Sequence, residues 1–472
     1  MKVLYAISRY FVGGLFVFSG LIKINDPVGT QIKLEEYFQV FSSDFTSLFE
    51  YLVPFALILS VILCTLEVVV GVALLLNYRM KITSTVTFSL ILFFTFLTFY
   101  SAYYNKVTDC GCFGDAIKLT PWESFTKDIV LLFFSSIILA LVDKFKETKG
   151  LIYIKILDYN NKSLRDSLII GALVISLFIS FYAINFLPFI DFRAYKIGNN
   201  IRKEMLPSQE LIYAYIMEKD GKEYSFGSFP SDQSYTFKEL RLLNPEAQPK
   251  ITDYSIWNNE IDYTEESLLD NKLMIIIHDI EKIDKNILPK IKELEKLISF
   301  WIETIVVTSS DPNLYNDFAK KENFDIPTMY ADATVLKTII RSNPGFFLMK
   351  NGVVRGKWHY NKMPDPQEVL KKLTLLLKKN GTLIVGTPNI NCIAFKLFKK
   401  NFRLLGPGHL CLFNEKSLRS IVESCGFKVF KKEFPFFKTK YFNLKNLFQL
   451  SQIHKISPPF YGSIMTIYAQ KK

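Results

Sequence analysis

The chain has 472 residues, which is too long for one domain and suggests about three. Hydrophobic residues make up 49% of it and Phe alone is counted 43 times, which excludes a uniformly soluble protein. The net charge of +12 is unevenly placed: residues 377–472 hold 17 Lys/Arg against 3 Asp/Glu, while the rest of the chain is close to neutral with 40 against 42. Such a basic tail suits nucleic acid or an anionic membrane surface. It is read here as a lysine-rich face of no special function, with no nucleic acid expected as a partner.

A helix needs about 20 apolar residues to cross the hydrocarbon core, and five segments in the first 190 residues qualify. They are Val3–Ile22, Tyr51–Asn77, Ile82–Tyr104, Ile129–Val142 with a few flanking residues, and Ser167–Ile190 with Pro188 near its end. The first lacks a compact basic start and an A-x-A site, so it is expected to stay as a span rather than be cleaved. Basic residues cluster in Lys144–Arg165 and at Arg79 and Lys81, which puts those two loops in the cytoplasm. The loops Lys23–Glu50 and Asn105–Glu123, and everything after Ile190, are then expected outside. The expected location is a bacterial inner (cytoplasmic) membrane with an extracytoplasmic soluble part.

Arg9 and Glu67 are ionisable residues inside spans, and Lys23 directly follows the first span. Charges in a span are costly and face the bundle interior or a partner. From the distance of each to its span end, Arg9 and Glu67 are expected at depths one or two turns apart, as an ion pair pinning two helices. The alternatives are a proton or quinone site, or Arg9 snorkelling alone.

Of six cysteines, only Cys110 and Cys112 are close, in Asp109-Cys-Gly-Cys-Phe-Gly114. A C-x-C bridge closes a strained ring, and strain makes a disulfide easy to reduce. Gly111 supplies the backbone freedom of a tight turn, and the loop is expected on the oxidising side. Three readings stay open: a redox dithiol, two unlinked loop thiols, or half of a metal site lacking the usual four ligands.

These residues carry a resemblance. Phe18-Ser-Gly-Leu-Ile-Lys-Ile-Asn-Asp-Pro27 and Leu66-Glu-Val-Val-Val-Gly71 resemble the DoxX family, and Cys110-Gly-Cys-Phe-Gly114 resembles the methylamine-utilisation protein MauE of the same four-helix superfamily. The likeness covers about residues 1–145. It implies a membrane bundle linked to thiol or disulfide chemistry, with Cys110 and Cys112 as catalytic residues and an envelope protein or thiol partner to mature.

Beyond residue 190, Leu211–Phe226 reads as a hairpin turning at Lys219-Asp-Gly-Lys222. Residues 191–254 are expected to be a connector. Leu273–His278 is a buried-strand run, Asn286–Ser299 an amphipathic helix, Thr304–Thr308 a second strand and Leu314–Glu322 a helix. Ser342–Val354 gives two strands turning at Lys350-Asn-Gly352, and Asp365–Lys378 closes with a helix. That order over 255–376 resembles the thioredoxin-like fold, with Pro344 at that family's cis-proline place. The resemblance implies a C-x-x-C near Asp279–Ile283, and there is none, nor any Cys between Cys112 and Cys392. The module is thus left to bind a partner or to present a substrate to Cys110 and Cys112. His278 is read as structural.

The tail is of another kind. Leu377–Asn389, Gly408–Arg419 and Cys425–Val429 resemble the C-terminal half of class I S-adenosylmethionine-dependent methyltransferases. The Gly-rich turn after a first strand, which holds the cofactor in that family, has no counterpart, and Gly406-Pro-Gly408 lies on the wrong side. S-adenosylmethionine is not expected to bind. The thioredoxin-like helix runs into this segment without a linker, which points to a fused or chimeric reading frame. Some of Phe395, Phe398, Phe402, Phe413 and Phe427 are expected to be left exposed.

The fold class expected is therefore mixed: an all-α polytopic membrane bundle of four helices (1–145), a cytoplasmic loop (146–166) and a fifth span (167–190). After the connector come an α/β thioredoxin-like domain and a partial Rossmann-like methyltransferase fragment (377–472).

Overall fold

The computed structural model describes residues 1–107, 111–145, 162–258, 261–299, 302–374, 382–405, 413–424, 427–434, 446, 449 and 455–471. Outside the described residues lie Cys110, Cys411, Cys425, Gly406-Pro-Gly408, most of the Lys144–Arg165 loop and the junction at 375–381. The chain divides into two units, Met1–Arg193 and Ala194–Lys472.

The first unit is helical: α1 (Lys2–Asn25), α2 (Pro27–Asp44), a 3-10 segment Ser47–Phe55 running into α3 (Ala56–Leu75), α4 (Met80–Tyr104), α5 (Pro121–Phe145) and α6 (Lys162–Phe186). Five of these stretches are long and apolar enough to cross a membrane: α1, Ser47–Leu75, α4, α5 and Ser163–Phe186. The fourth reaches well beyond its uncharged core because Thr120 and Glu123 cap it reciprocally. The Thr120 amide donates to Glu123 Oε2 (2.8 Å), and the Glu123 amide to Thr120 Oγ1 (3.3 Å).

α1 and α3 are antiparallel and touch through their backbones. A Cβ on Gly71 would lie 2.8 Å from the Val17 amide nitrogen and 2.9 Å from the Gly13 carbonyl oxygen. One on Gly20 would lie 2.6 Å from the Val68 side chain. Small residues allow this approach, and lipid-embedded helices associate through such packing. The contacts also fix the register: 13 beside 74, 17 beside 71, 20 beside 68. The expected loop after Lys23 is in fact the helix α2, started by Asp26, whose carboxylate accepts from the Gly29 amide (3.0 Å), with Pro27 in the first turn. Tyr37 and Phe41 of α2 pack with Leu97, Tyr100 and Val107.

The second unit begins with a short helix α7 (Ile201–Glu204) and an antiparallel sheet in the order β2-β1-β3, built from β1 (Tyr213–Lys219), β2 (Lys222–Phe226) and β3 (Thr236–Leu242). The hairpin between β1 and β2 turns at Asp220 and Gly221, both with positive φ. The expected connector is thus folded, and it is stitched to the next sheet: the Gly198 amide donates to the Val354 carbonyl (2.9 Å) and the Ile201 amide to that of Gly352 (2.8 Å).

A seven-stranded sheet follows, made of β4 (Trp257–Asn258), β5 (Ile261–Asp262), β6 (Asn271–Ile277), β7 (Glu303–Thr308), β8 (Thr328–Tyr330), β9 (Gly345–Lys350) and β10 (Val353–His359). Its order is β10-β9-β6-β7-β8-β4-β5. β6 pairs parallel with β7, and β7 with β8, while β9 pairs antiparallel with β6 and β10. β6 is apolar without alternation because both faces are covered: Leu273 to Ile277 are all buried. The helices of this region are α8 (Thr264–Ser267), α9 (Leu288–Ile298), α10 (Pro312–Glu322), α11 (Ala333–Ile339) and α12 (Pro366–Thr374). Leu288, Ile291, Leu294 and Ile298 recur at helical spacing on α9 and enter the core around β6. The β9–β10 hairpin turns at Asn351 and Gly352, both with positive φ.

The tail forms β11 (Thr382–Pro388), α13 (Ile393–Phe398), α14 (Glu415–Ser424), β12 (Phe427–Glu433) and β13 (Ile464–Lys471), with the sheet order β11-β13-β12. β13 runs antiparallel to both neighbours. The expectation of exposed phenylalanines fails for Phe398, Phe402 and Phe427, which are buried. The reason is local: β13 returns to fill the sheet between β11 and β12, and Leu418 and Val422 of α14 cover Phe427, Met465 and Ile467. Phe402 packs with Cys392, Ala394 and Leu404. Among the exposed apolar residues of the tail are Ile384 on β11, Ile393 and Leu397 on α13, Phe430 on β12, and Ile456.

Candidate functional site

Residues 111–114 of the C-G-C-F-G loop sit against the C-terminal end of α1. Gly111 and Gly114 both have positive φ, and the Gly114 amide donates to the Gly111 carbonyl (3.0 Å), closing a tight turn. A side chain at Gly111 would also press on Lys33, whose Cγ would be 3.2 Å away. Phe113 is buried and faces Phe18 at 5.9 Å. The loop is thereby anchored on both sides of Cys112.

Charge surrounds that anchor. Ser19 and Lys23 are one turn apart on α1, and Glu67 projects from α3 at the same level. Lys23 Nζ meets Glu67 Oε1 at 2.5 Å. Ser19 Oγ lies 3.0 Å from Glu67 Oε2 and 2.9 Å from the Cys112 carbonyl oxygen, so one hydroxyl joins the intramembrane carboxylate to the cysteine loop. The Lys23 ammonium interacts electrostatically with the thiols of both Cys112 and Cys64, and its Nζ lies over the Phe94 ring. A second ammonium, Lys127 on α5, also acts on Cys112. Lys127 pairs with Asp128 (2.7 Å), and Asp128 accepts from Thr98 Oγ1 (3.0 Å).

The partner expected for Glu67 was Arg9, and the structure gives it Lys23 instead. The small-residue register places Glu67 beside residues 20–23 of α1, while Arg9 falls opposite about residue 78. Arg9 is 1% exposed, its Nε and one terminal nitrogen have no hydrogen-bond partner, and its guanidinium lies 4.9 Å from the Tyr10 ring. Depth counted from span ends misled because the two ends are not level: α3 ends at Leu75, which the glycine register sets beside residues 12–13 of α1 and not beside its start at Lys2.

Cys64 was passed over in the sequence and belongs to this neighbourhood. It is buried on α3, three residues before Glu67, with its Sγ 3.6 Å from Thr30 Oγ1. The signal was a thiol and a carboxylate at i, i+3 in one span, which puts them on one helix face. Among the described residues, Cys64, Cys112 and Cys392 form no disulfide. Among the described residues, no group of three or more His, Cys, Asp or Glu stands together as a metal site. In the second unit, the Asn343–Pro344 peptide is cis and directly precedes β9.

Residues 1–142 match the family model of the methylamine utilisation protein MauE. That stretch contains α1 to α4, most of α5 and the whole cysteine loop. Residues 359–432 match the model of a methyltransferase domain. No curated protein matches the chain. The protein thus joins a MauE-like membrane domain to a second, sheet-containing α/β unit whose C-terminal part is similar to a methyltransferase domain.

Proposed function

We propose that this membrane protein exchanges thiols and disulfides with an envelope protein through Cys110 and Cys112, and so assists that protein's maturation. The observation that supports it most is the Cys112 loop held by Ser19 against the Lys23–Glu67 pair, with Lys127 as a second cation. Disulfide exchange runs through a thiolate, and two ammonium groups supply the opposite charge. In the oxidising direction, a partner thiolate attacks one sulfur of a Cys110–Cys112 disulfide and forms a mixed disulfide, releasing the other cysteine as thiolate. A second partner thiolate then attacks the mixed disulfide. The partner leaves with a new disulfide, and the pair is left as a dithiol carrying the two electrons. Its reoxidation needs a two-electron acceptor, either a quinone or another disulfide.

The likeness to MauE supports a role in assembling or maturing a partner, and the cytoplasmic-membrane location with the second unit outside follows from the charge bias of the loops. The 255–376 region of the second unit is read as thioredoxin-like. The parallel β6–β7 pair, the antiparallel β9–β10 hairpin and the cis Pro344 support that. Without cysteines between Cys112 and Cys392, its role is to bind the partner.

Trapping intact cells with a membrane-impermeant thiol reagent tests topology and redox state together. Cys110 and Cys112 should be labelled from outside, and only after reduction in a fraction of the molecules. A pair that stays reduced under every condition, or is labelled only from the cytoplasm, defeats the proposal. The other reading, a non-catalytic scaffold, is favoured by the lack of any cysteine between Cys112 and Cys392. It predicts that a Cys110→Ala/Cys112→Ala chain still matures the partner.

A further inference from the structure

The small sheet β2-β1-β3 has two unlike faces, and the strand register assigns them. Across β1, Tyr215 stands opposite Phe226 and Leu240, and Met217 opposite Tyr224 and Phe237. Tyr213 pairs with Leu242 at one end, and Lys219 with Lys222 at the other. Residues directly opposite each other share a face. That face is therefore aromatic and aliphatic from edge to edge, with two lysines at the hairpin end. The strand acids lie on the other face: Glu218 is opposite Glu223, and Ile216 is opposite Glu239. Lys238 and Arg241 pair with those acids. The register shifts beside Met217, and such a bulge breaks the plain alternation of a strand.

The apolar face is ordered but largely exposed. Two rings from the β2–β3 connection complete it. Phe229 meets Tyr215 (5.5 Å) and Phe237 (6.4 Å), while Tyr235 meets Tyr224 (5.5 Å) and Phe226 (5.1 Å). Met217 is buried at the centre, yet Tyr213, Tyr224, Phe229, Phe237 and Leu240 stay exposed. A sheet with one apolar face ordinarily buries it, and a contiguous exposed patch marks an interaction surface.

We propose that this face docks on the surface of the lipid bilayer, with its rings at the level of the headgroups. The chain leaves its last span at Phe186 and enters β1 at Tyr213. The sheet is thus tethered to the membrane, and docking is an intramolecular event. Exposed Ile190, Ile197, Leu206 and Ile212 carry apolar surface along the intervening chain. The composition of the face is that of an interfacial anchor: tyrosine rings sit at the membrane–water boundary, and lysine stems lie along apolar surface with their charge in the polar layer. Lys219 is engaged within the protein, 2.7 Å from Ser234 Oγ and 3.7 Å from Asp232. Apolar burial rather than charge therefore holds the face to lipid, and high salt leaves it docked. The contact uses no cysteine and stands or falls apart from the thiol chemistry.

The test places one added tryptophan on either face of the full-length protein. The protein is reconstituted in nanodiscs of phosphatidylcholine and phosphatidylglycerol, with or without bromine on the acyl chains. Phe237→Trp reports the apolar face and Glu239→Trp the polar one, both at exposed positions that folding tolerates. Subtracting the emission of the parent protein isolates each added indole. Brominated lipid is expected to quench most of the added emission at 237 and little at 239, in low and high salt alike. Acrylamide in the water should do the reverse. Tyr224→Trp, on the same face, should repeat the result of Phe237→Trp. If the indole at 237 is quenched by acrylamide and not by brominated lipid, the face lies in water, open to a protein partner instead, and the proposal is refuted. If neither quencher reaches it, a second copy of the chain covers the face, and lipid docking is refuted equally.

Discussion

Replacing Glu67 by Gln tests the central contact of the membrane unit. The side chains of Lys23 and Glu67 are 11% and 5% exposed, and they meet at 2.5 Å. An exposed ion pair is worth about 1 kcal/mol at most. Removing one partner of a buried pair strands the other charge and costs about 3–5 kcal/mol. Glu67→Gln and Lys23→Met should therefore each lower the stability of the detergent-solubilised protein by an amount in that higher range. The double variant should lose less than the two single losses added together, because it leaves no stranded charge. Thermal unfolding measures all three. Glu67→Gln should also speed alkylation of Cys112, since Ser19 then binds the loop to an uncharged neighbour. Arg9→Met supplies the control: lying elsewhere on α1, it should add to Glu67→Gln without coupling. Single losses near 1 kcal/mol, additivity of the Lys23 and Glu67 changes, or coupling of Glu67 to Arg9 would refute the reasoning.

Two further outcomes follow from the packing and from His278. Gly71→Val forces a side chain into the Val17 and Gly13 backbone, and should destabilise the α1–α3 contact by about 1–3 kcal/mol or more, read as a lowered unfolding midpoint. His278 titrates at about 4 in the folded chain against 6.5 ordinarily, because of burial and the neighbouring cations. The unfolded chain then takes up the proton first as pH falls. Stability contributed by the neutral imidazole is complete above 6.5 and is lost progressively down to 4, by about 3 kcal/mol. His278→Gln should flatten that part of the pH profile of the second unit, and an unchanged profile would count against the burial of the ring.

The parts that could be read in advance are those written in local pattern. Twenty apolar residues in a row announce a span whatever surrounds them, and the Asn351-Gly352 turn announces a hairpin. The pairing of Glu67 was illegible because it depends on which turns of α1 and α3 face each other. Gly13, Gly20 and Gly71 set that register, and they gave a different depth from the span ends. α2 was hidden by its mixed polarity: its apolar residues meet a limited patch around Tyr100, so no strong periodicity marks it. β3 was missed because nearly all of it is exposed, leaving no alternation to detect.

The tail supports one last expectation. In an α/β nucleotide site, the cofactor is held by a Gly-rich turn between a first strand and the N-terminus of a helix. The match to a methyltransferase domain begins at residue 359, in β10 of the preceding sheet. The first strand of the tail sheet, β11, leads through Pro388 and Asn389 to Cys392, which caps a helix of only six residues. That junction has no glycine between Gly386 and Phe398, so the backbone cannot approach a ligand there as closely as a Gly-rich turn allows. β13 meanwhile completes the sheet from the opposite end of the segment, and α14 covers one face. On the fragment reading, the tail packs as this three-stranded sheet while lacking the half that would bind cofactor. Calorimetry of the purified chain should detect no binding of S-adenosylmethionine. Micromolar binding that disappears when residues after 380 are deleted would overturn the fragment reading, and with it the inference that two unrelated reading frames meet near residue 377.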